Sequence, residues 1–437
     1  MPSQFTRLLS ISTLTQLADE IVSAKIVLPW ILLSLNAPLW ILALIVPIKE
    51  SGALLPQWSV QKILAEKFST ASIWRTGMFM QGAALFAIVV VMWWLVAASF
   101  AAYWVLLAVV ILSLGRALCS FTIKDIQAHN VAKGRRGKLI GAGGSAAGLV
   151  TILVALLLWQ YSADSAVIDS EAPEQTVLGV FVIAGCLCYG VGLWVSLSLS
   201  LSMPEPIVAE PIVAEPSTPE SNMSLVGAVG AVPSTPSSSS MSLWQYVTHE
   251  SDLRELIISR VLLMHGAIVL PLMVLLIAER YVGISSLALV MLASAIASFV
   301  SSYIWGWFSD YSARTTLAIA AAGCMLSLGW LLTPWGLAQL YAAGIGFLLM
   351  NLCYSGIRTA RKTYLIDMVS HAKRQRYVAA GNTIVGCALL LLGSAYAGLF
   401  SIDYDGIKVW VISWCGLMLC LGMLHTRRLR YDSPTDE

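Results

Sequence analysis

The chain has 437 residues, a formal net charge of +2, 58% apolar residues and 11% charged ones. That composition, with 16 Trp, excludes a soluble domain of this length and gives no basis for a nucleic-acid partner. Apolar runs of about 20 residues, long enough to cross a bilayer at roughly 1.5 Å per residue, fill nearly the whole sequence.

Backbone groups in hydrocarbon must find partners within their own segment, so these runs predict helices. The alternating pattern of a membrane β-barrel is absent. Twelve spans are expected in all. Six lie near 9–34, 38–60, 74–97, 101–123, 138–160 and 176–201. The other six lie near 254–278, 284–308, 315–333, 337–360, 376–400 and 407–425. The first run is too long and too polar for a cleaved signal peptide and is expected to stay as the first membrane helix.

The chain writes itself twice. Arg116, Asp125 and His129 recur as Arg358, Asp367 and His371, and Ile26–Pro29 recurs as Ile268–Pro271, all at one spacing of 242 residues. Arg136 and Gly141 recur as Arg376 and Gly381 at a spacing of 240. The expected fold is therefore an all-α membrane protein of twelve transmembrane helices in two pseudo-symmetric six-helix bundles, residues 1–202 and 243–437. Residues 203–242, rich in Pro, Ser and Glu with Pro206–Glu210 copied as Pro211–Glu215, read as a disordered linker.

Basic residues gather in alternate loops. Lys62, Lys67, Arg75, Lys124, Lys133, Arg135 and Lys138 mark the first half, and Arg314, Arg361, Lys362, Lys373, Arg374 and Arg427 the second. By the positive-inside rule both termini and the linker are expected in the cytoplasm, with the protein in a plasma or inner membrane. The eight Cys all fall within or at the ends of apolar runs without a C-x-x-C spacing, and read as small buried residues. The D-x-x-x-H pairs, Asp125/His129 and Asp367/His371, offer two ligands each in basic loops, too few for a metal site. No cofactor is implied.

Gly306-Trp-Phe-Ser-Asp310-Tyr-Ser-Ala-Arg314 is similar to the G-x-x-x-D-x-x-x-R loop of the major facilitator superfamily of transporters. Two parallel six-helix halves joined by a cytoplasmic linker resemble that family throughout, the linker apart. The resemblance implies that Gly306, Asp310 and Arg314 form a gating motif, and that Asp125/Arg136 and Asp367/Arg376 are loop charges bracing the inner gate. The first-half copy of the motif is degenerate, with Thr70 where Asp310 stands. Arg116 looks like the family's helix 4 arginine, implying proton or substrate coupling; the alternative is a side chain snorkelling to the cytoplasmic end. Gly141–Gly148 predicts a small-residue packing face without the Gly-Pro pair usual in the family's drug antiporters.

The polar groups of the first two spans carry most information. Thr13, Gln16, Glu20, Ser23, Trp30 and Ser34 fall on one helical face, with Asp19 beside it and Lys25 about 140° from Glu20 at 100° per residue. Lys49 and Glu50 lie near the middle of the second span. Five charges near the midplane must face a watery cavity or pair with one another as a static lattice. Asp19 and Glu20 are the expected proton carriers, while Lys25 or Lys49 neutralises one of them or binds an anionic substrate. In the second half His265, Asn351, Tyr354 and Asn382 are candidate cavity residues, and Arg260 lies nearer the cytoplasm.

The expected function is a secondary transporter moving a small organic solute by alternating access, coupled to protons and acting as a monomer in the lipid bilayer. The alternatives are a proton-independent uniporter or exchanger and a non-transporting receptor of the same fold. No G-x-x-x-x-G-K-[ST], G-x-S-x-G or H-E-x-x-H occurs, so neither ATP drive nor enzymatic chemistry is expected.

Overall fold

The computed structural model describes residues 4–56, 68–95, 100–131, 136–164, 172–198, 247–281, 283–368, 371–402 and 406–429. The first bundle contains α1 (Gln4–Ile21), α2 (Val27–Ser34), α3 (Leu39–Leu54), α4 (Thr70–Trp94), α5 (Ala101–Asn130), α6 (Arg136–Asp164) and α7 (Ala172–Leu197). The second contains α8 (Ser251–Leu263), α9 (His265–Arg280), α10 (Ile284–Tyr311), α11 (Ala313–Leu332), α12 (Leu340–Met368), α13 (His371–Phe400) and α14 (Ile407–His425). No strand occurs among the described residues. The expected linker, 203–242, lies outside them.

Ten segments are long and apolar enough to cross a membrane, with α8 and α9 counted as one. The α1–α2 pair and α3 lie where the other two spans are expected but are not among these ten, the first because it is interrupted and the second because it is described over only 16 residues. Several helices outrun the apolar stretches that predicted them: α5 continues to Asn130 and α12 to Met368. Hydropathy sees only the lipid-facing length, whereas the helix continues into water on polar residues. Large apolar side chains such as Trp94, Leu157, Trp194, Leu326 and Leu391 are exposed on the outer faces, as lipid contact requires.

The expected single helix over 9–34 is broken at 22–26, between α1 and α2. Pro29 has no N–H to give the carbonyl four residues back, at Lys25, and the helix opens there. Ser23 satisfies the loosened backbone: its carbonyl accepts from Leu28 N at 3.0 Å, and its hydroxyl accepts from Lys25 N at 3.3 Å. The second bundle breaks at Met264, which is Val22 carried forward by the 242-residue repeat, and Pro271 follows in α9. Both breaks are inherited from one ancestral unit.

Glycines set the spacing of the helices behind the site. A Cβ on Gly77 of α4 would lie 2.7 Å from the carbonyl oxygen of Gly115 in α5, and the reverse holds at the same distance. Only two glycines permit this approach, and it seats Arg116 one residue on. On the small-residue face of α6, a Cβ on Gly143 or Gly144 would come within about 3.0 Å of α1 side chains, Ser12 and Gln16. Gly148 meets nothing within 4 Å.

Across the bundles α3 packs on α13, α6 on α10, and α9 on both α2 and α3. Leu54 and Leu55 lie against Gly386 of α13, and Pro47 against Gly393. Trp159 of α6 meets Tyr341 of α12 with ring centroids 5.8 Å apart. At the terminal end the ties run within a bundle: Arg75 donates to the Ser196 carbonyl at 2.8 Å, Arg7 to that of Ser198, and Tyr377 to Glu250 at 2.6 Å.

Candidate functional site: a charged cluster at the helix breaks

Asp19, in the last turn of α1, is the hub of the cluster. Its Oδ1 accepts from Arg116 Nη1 at 2.8 Å and lies 3.7 Å from Lys49 Nζ. Lys49 is 5% exposed and comes from α3, so three helices are drawn together by one carboxylate. Leaving either cation without that carboxylate would strand a charge at low dielectric. The pair between Arg116 and Asp19 stays wet, with side chains 38% and 29% exposed. Beside it, among α1, α4, α5 and α7, is a cavity of about 160 Å³ lined by Ser12, Thr15, Asp19, Gln81, Arg116 and Tyr189 with apolar neighbours. Tyr189 donates to Gln81 Oε1 at 3.0 Å, fixing the polar wall opposite the ion pair.

Lys25 stands in the helix break, so its direction is not the one an unbroken helix gives. Its ammonium lies 4.7 Å from the ring centroid of Tyr354 in α12, a cation–π contact across the two bundles. Arg358 approaches the same ring at 5.7 Å and donates to Ser355 Oγ at 3.1 Å. Gly266 makes room for that ring, since a Cβ there would sit 2.7 Å from Tyr354 Cδ2. Glu20 and Glu50 make no direct ion pair among the described residues. They sit in the field of Arg358, Lys25 and Lys49, and Glu50 also in that of Arg116.

The polar stripe expected along the first span does not survive as one face. Thr13 Oγ1 returns to the Leu9 carbonyl at 2.9 Å and Ser34 Oγ to that of Ile31 at 2.8 Å, the local bonds by which hydroxyls satisfy themselves in lipid. Gln16 donates to Ser12 Oγ at 2.9 Å and faces the glycines of α6. Trp30 is buried in the core at 4% exposure. His265 is 2% exposed, its Nδ1 2.9 Å from the Leu262 carbonyl and its ring edge-on to Tyr396; it lies in packing rather than on a cavity. Asn351 donates to the Phe347 carbonyl at 3.2 Å, and Asn382 accepts from Arg260 at 2.8 Å.

The gating motif is only partly within view. Asp310 is exposed at the end of α10, and Arg314 donates to the Arg427 carbonyl at 2.8 Å. Ser312 caps α11 through Thr315 N at 3.3 Å. Among the described residues, nothing lies within 4 Å of a Cβ on Gly306. The side chains of Asp125, Arg136, Asp367 and Arg376 lie outside the described residues.

Arg260, Arg358 and Arg361 join the site although their positions read as cytoplasmic in the sequence. The signal was present: Tyr354, Arg358 and Arg361 follow at spacings of four and three on one face of α12. Gln81 and Tyr189 had no such signal, because each is a lone polar residue in an apolar run.

Solved structures share this architecture over nearly the whole chain. A mutant form of the nucleoside transporter NupG matches with a TM-score of 0.66 at 11% identity, covering 97% of this chain and 99% of its own. A D-xylose–proton symporter matches at 0.69 and 13%, covering 98% of each. A bacterial homologue of the iron transporter ferroportin matches at 0.66 and 15% in its inward-facing state, covering 97% and 98%. Its outward-facing state gives 0.53 at 14%. No family model and no curated protein sequence matches the chain. At these identities the likeness is one of fold, and the fold is that of major facilitator superfamily transporters. The protein is a multi-pass integral membrane protein.

Proposed function

We propose that the protein is a secondary transporter that carries a small organic solute by alternating access, with proton coupling at Asp19. The observation that carries the reading is the Asp19–Arg116 ion pair, half-exposed on a polar cavity and one lysine away from the seam between the bundles. A carboxylate held by a cation on a water-accessible wall can exchange that cation for a proton when its surroundings rearrange. Glu20 is the second proton carrier, in the field of Arg358 across the seam. Transport of nucleosides, sugar and iron by proteins of the same fold supports the class. It leaves the cargo to the residues of this chain.

With the basic loops inside, the termini and the 203–242 linker are cytoplasmic. The better match to the inward-facing ferroportin homologue than to its outward-facing state supports an inward-facing state. The protein works as a single chain.

Uptake and counterflow in proteoliposomes under an imposed pH gradient, screening pooled metabolites, tests the reading. Gradient-driven accumulation in the wild type that disappears in Asp19→Asn is the expected result. Accumulation that persists when Asp19→Asn and Glu20→Gln are combined would overturn the coupling, and exchange without accumulation would make the protein an exchanger or uniporter.

A further inference from the structure

The cluster is not charge-balanced. Among the described residues, Asp19, Glu20 and Glu50 are its three carboxylates, set against Lys25, Lys49, Arg116, Arg358 and Arg361, with Arg260 beside Arg361. Arginine keeps its charge in any protein environment, and the four arginines alone outnumber the acids. The excess is also lopsided. All three acids come from α1 and α3, whereas Arg260, Arg358 and Arg361 come from α8 and α12.

Arg260 shows the imbalance most plainly. It is 6% exposed, its Nη2 donates to the neutral amide oxygen of Asn382 at 2.8 Å, and its Nε has no hydrogen-bond partner. Its charged neighbour is Arg361, another cation. A buried guanidinium with an idle donor and no acid costs stability unless something else neutralises it. Between Arg260 and Arg361, walled by Tyr354 and Ser259, is a cavity of about 10 Å³, the space of roughly one oxygen atom. Arg358, exposed on the same face of α12, leads from it towards the terminal end.

We propose that Arg260, Arg358 and Arg361, with Lys25 and Tyr354 as the near wall, form the subsite for the anionic group of the solute, a carboxylate, sulfonate or phosphate. One oxygen of that group enters the small cavity and takes the idle N–H of Arg260, and the remaining oxygens meet Arg361 and Arg358. The forked guanidinium donors suit planar or tetrahedral oxyanions. This assignment names the cargo of the transporter proposed above and rests on that reading.

The test uses the full chain in vesicles of phosphatidylcholine alone. Thermal-shift titrations are run at fixed ionic strength with inorganic phosphate, glycerol 3-phosphate and benzoate, against glycerol and benzyl alcohol as neutral counterparts. At least one anion should stabilise the wild type while its neutral counterpart does not. Arg361→Gln and Arg358→Gln should each weaken that anion by about tenfold or more, and Arg361→Lys should recover part of it. Arg260→Gln should behave alike, and if it fails to fold the two α12 variants decide.

No stabilisation by any of the three anions, or equal stabilisation by the neutral counterparts, overturns the proposal. So does an effect untouched by the α12 variants. Saturation by added phosphatidylglycerol in place of the soluble anions would assign the subsite to a lipid headgroup and overturn a solute role. Counterflow of the labelled anions separates the two readings. Binding without flux keeps the subsite and removes the transporter, whereas flux of neutral solutes without anion binding does the reverse.

Discussion

The two bundles share one template and differ in what they place on it. In the first, Asp19 and Glu20 precede the helix break, Lys49 and Glu50 face it from α3, and Arg116 completes the set. In the second, the repeat-equivalent positions are Val261 and Leu262, the corresponding stretch of α10 is Leu289–Leu292, and only Arg358 remains. Among the described residues of the cluster, the first half contributes carboxylates with their own cations, and the second contributes cations alone. On the reading proposed above, the two matching scaffolds have diverged so that one holds a proton and the other an anion.

Removing the acid of the first half should have the largest effect. Asp19→Asn leaves Arg116 and Lys49 facing each other, and pH-gradient-driven uptake should fall by about a hundredfold or more, as for loss of a proton-transfer group, measured as initial rate in proteoliposomes. Building the missing acid into the second half is the converse. Val261→Asp offers Arg358 the partner that Asp19 gives Arg116, and anion affinity should drop by roughly tenfold in thermal-shift titration as the new carboxylate competes. An unchanged affinity would break the symmetry argument.

The glycines separate the halves more gently. Gly115→Ala puts a methyl 2.7 Å from the Gly77 carbonyl and should cost about 1–3 kcal/mol in unfolding from detergent micelles. Gly306→Ala, with nothing within 4 Å, should shift stability by no more than about 1 kcal/mol, towards greater stability. Smallest of all, Lys408→Ala removes the pair with Glu279 at the membrane surface, worth about 0–1 kcal/mol in the same unfolding measurement.

The fold was legible because hydropathy and an exact repeat are global signals that survive local irregularity. The ion pair was half legible. Asp19, Lys49 and Arg116 stood out as charges in apolar runs, yet their pairing needed the tertiary approach set by Gly77 and Gly115. Angular reasoning failed at Lys25 and along the Thr13–Ser34 stripe, because a helical wheel assumes a continuous helix and Pro29 ends that continuity four residues upstream. Arg361 was counted among the basic loops, because a positive-inside count cannot tell a loop arginine from one on the inner wall of a helix.

The short α2 has an electrical consequence. Eight residues span only about 12 Å, less than half of a hydrocarbon core roughly 30 Å thick. If the bundles were sealed at the far end while water reached the cluster from the other, the membrane voltage would fall mainly across a seal thinner than the whole bilayer. A unit charge crossing it exchanges about 2.3 kcal/mol per 100 mV. The charged cluster would sit at the foot of this drop, so a turnover that moves net charge is expected to register as current, whereas one proton carried with one monoanion is electroneutral and is not.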